Sequence, residues 1–282
     1  MPADGAAPSV GTVAARPPSA VAAPSEAAAR LRGPLAFLVL ATPFFVAAAV
    51  YEVLRRLIVV YRGDVHTGDL FLLEERIFPV STATGTQALS QVIAAHVHPA
   101  LDVICGITYL VFLAELFGIA GYMFWRSRVK MLELALAFLT ANLVGWSIWM
   151  LYPAAPPWYI DLHGMGPAIL STPSNPAGLS RIDAFLPFPV AATFYAKSAN
   201  VFGAMPSLHC AYATFIAAIV YPLGGKLRWA TIAFAVSMVF SAVYLRHHYI
   251  LDVLAGIALA VPVVVFVRFA APRLMRLARV EA

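Results

Sequence analysis

Residues 250–270 read ILDVLAGIALAVPVVVFVRFA, and between Asp252 and Arg268 no charge interrupts the run. A helix of about 20 apolar residues crosses a hydrocarbon core of about 30 Å, so this stretch is long enough to span a membrane. Barrel strands would instead alternate polar and apolar residues in segments of about ten. Working outward, comparable runs lie at about residues 34–54, 100–125, 131–152, 208–223 and 229–246. The fourth is short for a crossing, so it either extends backwards through the Pro206 region or tilts. Composition agrees: of 282 residues, 61% are hydrophobic and 12% charged, with a mean hydropathy of +0.82. Average soluble domains carry about 25% charged residues, so a soluble globular chain is excluded, as is disorder for most of its length. The expected fold is an all-α integral membrane bundle of six transmembrane helices with long outer loops.

The chain has 19 Lys and Arg against 14 Asp and Glu, a formal net charge of +5. Basic residues favour the cytoplasmic ends of spans. Here Arg126, Arg128 and Lys130 link spans two and three, and Lys226 and Arg228 link four and five. Arg268, Arg273, Arg276 and Arg279 close span six, and Arg16, Arg30 and Arg32 precede the first. All fall on one side of a six-span arrangement, which puts both termini in the cytoplasm. The positive balance therefore reads as topology rather than a nucleic-acid surface. Arg55 and Arg56 fall on the outer side, where they snorkel or pair with Glu52 or a substrate phosphate.

Residues 1–33, rich in Ala, Pro, Ser and Gly, read as a disordered cytoplasmic tail without the layout of a removable signal peptide. Residues 34–270 form the expected membrane domain, and 271–282 a basic cytoplasmic tail. Cys105 and Cys210 provide neither a disulfide scaffold nor a thiolate cage, and buried free thiols are expected over a bridge between them. Two long outer segments remain. Residues 63–99 interleave Leu70, Phe71, Leu73 and Ile77 with Glu74, Glu75 and Arg76, as a helix lying on the membrane surface would. Residues 153–204, with many Pro and Gly, are too long for a connector and read as a functional cover.

Under this topology His209 and His248 both sit at outer helix starts. His248 and Asp252 are four apart and share a helix face, where the carboxylate can accept from the imidazole N–H. That bond would select the tautomer and raise the basicity of the other nitrogen, as a nucleophile or base requires. Pro206 and Ser207 suit a helix start, where free N–H groups favour an anion such as phosphate and Ser207 adds a hydroxyl. Either histidine alone could be structural; the paired pattern points to chemistry. His247 lies on a different face from His248, open to a substrate or an interface contact. His96 and His98 lack a third metal ligand of convincing spacing. Glu115 calls for a partner inside the bundle. Trp125, Trp146, Trp149 and Trp158 are expected mostly at the membrane interface.

The stretches Pro206-Ser207-Leu208-His209 and Ser241-x6-His248-x3-Asp252 resemble the second and third signatures of the type 2 phosphatidic acid phosphatase (PAP2) superfamily. Four ordered blocks sharpen the resemblance towards its inositol-phosphorylceramide synthase, or inositolphosphotransferase, branch. They are Tyr152 to Tyr159 with its Pro-Pro-Trp segment, Gly178 to Asp183, Phe202 to His209, and Tyr244 to Asp252. The resemblance implies a six-helix bundle acting on a phospholipid through a phosphohistidine. His248 would attack phosphorus, Asp252 orient it, and His209 protonate the leaving oxygen, then deprotonate the incoming alcohol or water. It implies no cofactor and no metal, with cations and N–H donors stabilising the transferring group.

Two departures stand out. The superfamily's first signature, Lys-x6-Arg-Pro, is absent, and Ala242 stands where the third signature has Arg. Other cations are therefore expected at the phosphate: Arg181 and Arg246 first, then Lys197, each alternatively an interfacial anchor. Ser207, His247 and Asp183 complete the expected substrate contacts. The leading reading is a lipid phosphotransferase of the cell membrane with its site on the outer face, moving a phosphoryl-linked head group such as inositol phosphate to an alcohol acceptor. A lipid-phosphate phosphatase using water, and a non-catalytic lipid-binding protein, remain as alternatives.

Overall fold

The computed structural model describes residues 31–61, 63–196 and 200–280. Most of the N-terminal tail and Lys197 lie outside these residues, as do Arg16 and Arg30. The described chain is built from helices α1 (Gly33–Tyr61), α2 (Asp69–Ile77), α3 (Leu89–Ala95), α4 (Pro99–Leu110), α5 (Phe112–Arg126), α6 (Arg128–Leu151), α7 (Pro157–His163), α8 (Val190–Tyr195), α9 (Leu208–Val220), α10 (Gly225–Tyr244) and α11 (Ile250–Leu277). One hairpin, β1 (Pro79–Thr82) paired antiparallel with β2 (Gly85–Ala88), lies between α2 and α3. Among the described residues α1, α6, α10 and α11 are each long and apolar enough to cross a membrane. The protein is thus an integral membrane protein of mostly helical fold.

The other two expected spans take unexpected forms. The run at 100–125 is split at Val111 into α4 and α5, although Val111 N–H still donates to Ile107 O and Glu115 N–H to Val111 O. Helix α4 also follows α3 at a bend of 116°, and the two together are apolar enough for one span. The run at 208–223 does not reach back through Pro206. It starts at Leu208, with Ser207 as its cap, and closes in a 3-10 turn at Tyr221–Leu223. Helix α9 tolerates this shortness because it is the centre of the bundle, packed against α5, α6, α10 and α11. None of its residues from Leu208 to Val220 is exposed, so neighbouring helices surround it along its length. Gly256 of α11 admits the closest approach, since a Cβ there would fall 2.2 Å from Ser207 O. Helix α11 continues to Leu277, beyond the run that ends at 270.

Helix α2 turns its charge inward. Glu74 is fully buried while Leu73 and Ile77 are exposed. The reason is hydrogen bonding: Glu74 Oε1 accepts from Ile250 N–H at 2.9 Å and Oε2 from the Ser90 hydroxyl at 3.1 Å. One carboxylate thus ties α2 and α3 to the start of α11. Burial lifts its pKa to about 7.

Candidate active site

The two histidines are placed by chain segments far from them in sequence. Ala154 N–H donates to Phe202 O, and Ala204 N–H to Ala154 O, so residues 202–204 are fixed alongside 154. This aims the Ala204 carbonyl at His248, whose Nδ1 lies 2.9 Å from it. The loop carrying His248 is itself held by Ala242, whose carbonyl accepts both His247 N–H and His248 N–H. Arg246 turns the loop at φ +61°. Its carbonyl accepts Trp158 N–H, and the Leu245 carbonyl accepts Gly178 N–H. The Pro-Pro-Trp segment and the Gly178 block therefore dock on the histidine loop.

The Asp252 contact differs from the expected one. Its Oδ2 is 3.6 Å from His248 Nδ1 and instead accepts Tyr249 N–H at 2.9 Å. The Nδ1 proton goes to Ala204, while the buried carboxylate acts on the ring through space. Its Oδ1 is buried with no hydrogen-bond partner in the described structure. A His248 that donates from Nδ1 keeps the Nε2 lone pair for chemistry.

His209, in the first turn of α9, has its ring centroid 5.9 Å from that of His248. Its Nδ1 is 3.2 Å from Tyr109 Oη. Tyr109 stacks on His209 at 4.3 Å and on His247 at 4.7 Å, and Tyr195 stacks on His247 at 4.9 Å. The result is a column of two imidazoles and two phenols. Burial presses the His247 pKa down to about 3, so this ring is neutral in the folded protein.

These rings line a cavity of about 470 Å³. Along α6 its wall is Phe138, Asn142, Trp146 and Trp149, one helix face rising roughly 16 Å. Phe44, Phe112 and Phe117 complete an apolar part, while Ser174, Asn175 and Asn200 come from the long 153–204 segment. That segment is therefore a wall of the site, as its length suggested. No Lys or Arg is among the described residues that line the cavity.

The expected phosphate ligands are elsewhere. Arg181 Nε donates to Asp102 at 2.6 Å, and its guanidinium lies over the Tyr244 ring. Arg246 forms a two-pronged pair with Asp161. Neither lines the cavity. Ser207 is fully buried, and its Oγ accepts Cys210 N–H as the cap of α9. Asp183 accepts Ala191 and Ala192 N–H, capping α8. Each of these side chains is thus bonded to other parts of the scaffold. Among the expected substrate contacts within the described residues, only His247 faces the cavity with His209 and His248. Trp146, Trp149 and Trp158 line it too rather than forming an interface belt, whereas Trp125 is exposed. Arg55 and Arg56 both pair with Glu52. Cys105 and Cys210 are buried free thiols. His98 accepts Ala100 N–H and caps α4.

Tyr109, Tyr195, Asn142 and Asn200 carried no motif in the sequence. Asn142 did carry a signal, as a polar amide inside an apolar span, four residues from Phe138 and from Trp146. It donates to Phe138 O and accepts from the Tyr212 hydroxyl.

A family described as the PAP2 superfamily matches residues 80–266. A phosphoinositol dihydroceramide synthase of Bacteroides thetaiotaomicron is 40% identical over 204 residues, covering 70% of this chain and 66% of that protein. An inositol phosphorylceramide synthase of Candida albicans is 32% identical over 183 residues, covering 64% and 39%. An inositol phosphorylceramide synthase catalytic subunit of Schizosaccharomyces pombe is 31% identical over 180 residues, covering 63% and 43%. The chain thus spans from 39% to 66% of the length of these three relatives. No solved structure matches it.

Proposed function

The chain belongs to the PAP2 superfamily, and from that premise we propose that it is a membrane phosphotransferase that moves inositol phosphate from a phosphoinositol lipid to the hydroxyl of a ceramide-type acceptor. The observation that carries this reading is the cavity's combination of paired imidazoles with a lining free of Lys and Arg among the described residues. A phosphodiester carries one negative charge and a phosphomonoester up to about two near neutrality. Desolvating the second charge without a cation is costly, so the lining favours a diester donor over a lipid monophosphate.

In the proposed reaction, His248 Nε2 attacks phosphorus and the bond to the diacylglycerol oxygen breaks. His209 gives its proton to that oxygen, leaving inositol phosphate on His248. His209 then takes the proton of the acceptor hydroxyl, whose oxygen attacks phosphorus and frees His248. Ala204 O holds the His248 ring, and the Asp252 carboxylate stabilises the positive charge that develops on it. Neutral N–H donors replace the cations of the missing first signature, and His209 is positive only while it holds the proton it relays.

The proposed topology is six crossings, with α4–α5 as the second and α9 as the fourth, both termini in the cytoplasm and the site on the outer face of the cell membrane. Purified protein given inositol-labelled phospholipid and ceramide should form inositol phosphorylceramide and diacylglycerol in equal amounts. Release of free inositol phosphate alone, with acceptor present, would establish a hydrolase instead. No turnover with either acceptor would leave the lipid-binding reading.

A further inference from the structure

Two buried donors in the cavity wall have no partner. Trp149 Nε1 and Asn200 Nδ2 are both shielded from solvent, and neither makes a hydrogen bond within the described structure. They converge over Gly203. A Cβ on Gly203 would lie 2.4 Å from Asn200 Nδ2 and 3.0 Å from the Trp149 ring. The missing side chain therefore lets the Asn200 amide and the Trp149 ring pack directly against Gly203. Gly203 directly precedes Ala204, whose carbonyl holds His248, so both side chains stand one residue from the segment that holds the reacting imidazole.

Buried donors are normally paired, and a site that leaves them open is prepared for an acceptor from a ligand. We propose that Trp149 and Asn200 form the subsite for the hydroxyls of the substrate's polyol head group. The proposal rests on the inositol phosphate transfer set out above. Three features favour a polyol over the phosphoryl oxygens. Each Asn amide offers an acceptor beside its donors, and an acceptor repels an anion while it suits a hydroxyl. A second amide, Asn175, lines the same cavity with its Oδ1 engaged by Ala177 N–H. Trp149 is also at the outer end of the α6 face, away from Phe138 and the apolar part that suits lipid chains.

The test compares phosphatidylinositol with phosphatidylglycerol, which share phosphodiester and chains but differ in polyol. Affinity for each is measured in mixed micelles on the full chain carrying His248→Ala, so turnover does not enter. Transfer with each is then measured with His248 present. The subsite predicts a preference for phosphatidylinositol that falls about tenfold in Trp149→Phe and in Asn200→Ala, the worth of one hydrogen bond. Trp149→Phe removes the N–H together with part of the indole, and a Trp149→Leu variant, which also lacks the donor but packs differently, separates the two effects: the lost preference should be the same in both, whatever their thermal midpoints. An unchanged preference, an equal loss for both lipids, or a loss that differs between Trp149→Phe and Trp149→Leu would each overturn the proposal. If selective binding is present and transfer is absent, the subsite stands and the reaction fails. If transfer occurs and the variants keep the preference, the reaction stands and the subsite fails.

Discussion

The imidazole column and the arginine pairs behind it treat polarity in opposite ways. In the cavity, His209, His247 and His248 are set against phenols, a carbonyl and aromatic faces, with no fixed cation among the described lining residues. Outside it, Arg181 and Arg246 are paired with Asp102 and Asp161. Fixed charge at these two arginines is paired within the scaffold, while in the proposed reaction the chemistry falls to groups that can gain or lose a proton.

The largest expected effect breaks the cavity side of this contrast. His248→Ala should lower turnover by about 10⁴-fold or more, since in the proposed reaction it removes the nucleophile. His209→Ala should cost about 10²- to 10⁴-fold, most for donors whose leaving alcohol has a high pKa. Initial rates on a leaving-group series check this, and an equal loss along the series would count against the acid role.

The arginine side should answer in stability. Arg181→Ala removes the countercharge of Asp102, whose side chain is only 7% exposed, leaving it the Tyr244 hydroxyl as donor, and should cost about 3 kcal/mol. Arg246→Ala leaves Asp161, 43% exposed and hydrated, and should cost about 1 kcal/mol. Denaturation midpoints in detergent measure both. If either arginine served the phosphate directly, its replacement would instead raise KM with the midpoint unchanged.

Titration sharpens the contrast further. Glu74, at about 7 in the fold against 4.5 for an ordinary glutamate, binds its proton more tightly when folded. Its contribution is therefore complete below about 4.5 and is lost as pH rises through 7. His247, pushed down to about 3, works the other way, and its contribution is lost as pH falls from 6.5 towards 3. Thermal midpoints against pH should fall at both ends, and Glu74→Gln should flatten the alkaline side alone. The smallest effect is expected at the lipid-side pairs of Glu52 with Arg55 and Arg56, where Glu52→Gln should leave both midpoint and transfer rate unchanged.

Much of this was legible in the residues. Four of the six apolar runs are long helices, and His209, His248 and Asp252 stand at the helix starts where spacing put them. The expected Asp252–His248 hydrogen bond was half right: the i,i+4 spacing brings the groups near, but Ala204 and Tyr249 take the direct bonds. The difference between the expected and observed placement of Arg181 and Arg246 has one cause. A cation beside a motif looks the same whether its partner is a ligand or a carboxylate 79 or 85 residues away.

Helix periodicity and apolar length are local properties, set by backbone geometry and by transfer from water. They were sufficient to identify a membrane protein and to bring His248 and Asp252 onto one face. The partner of each polar group is a nonlocal property, settled when distant segments bury one another and every donor must find an acceptor. Only the folded chain therefore separates the arginines paired with carboxylates from the buried N–H groups of Trp149 and Asn200, cavity-wall residues whose donors find no partner among the described residues.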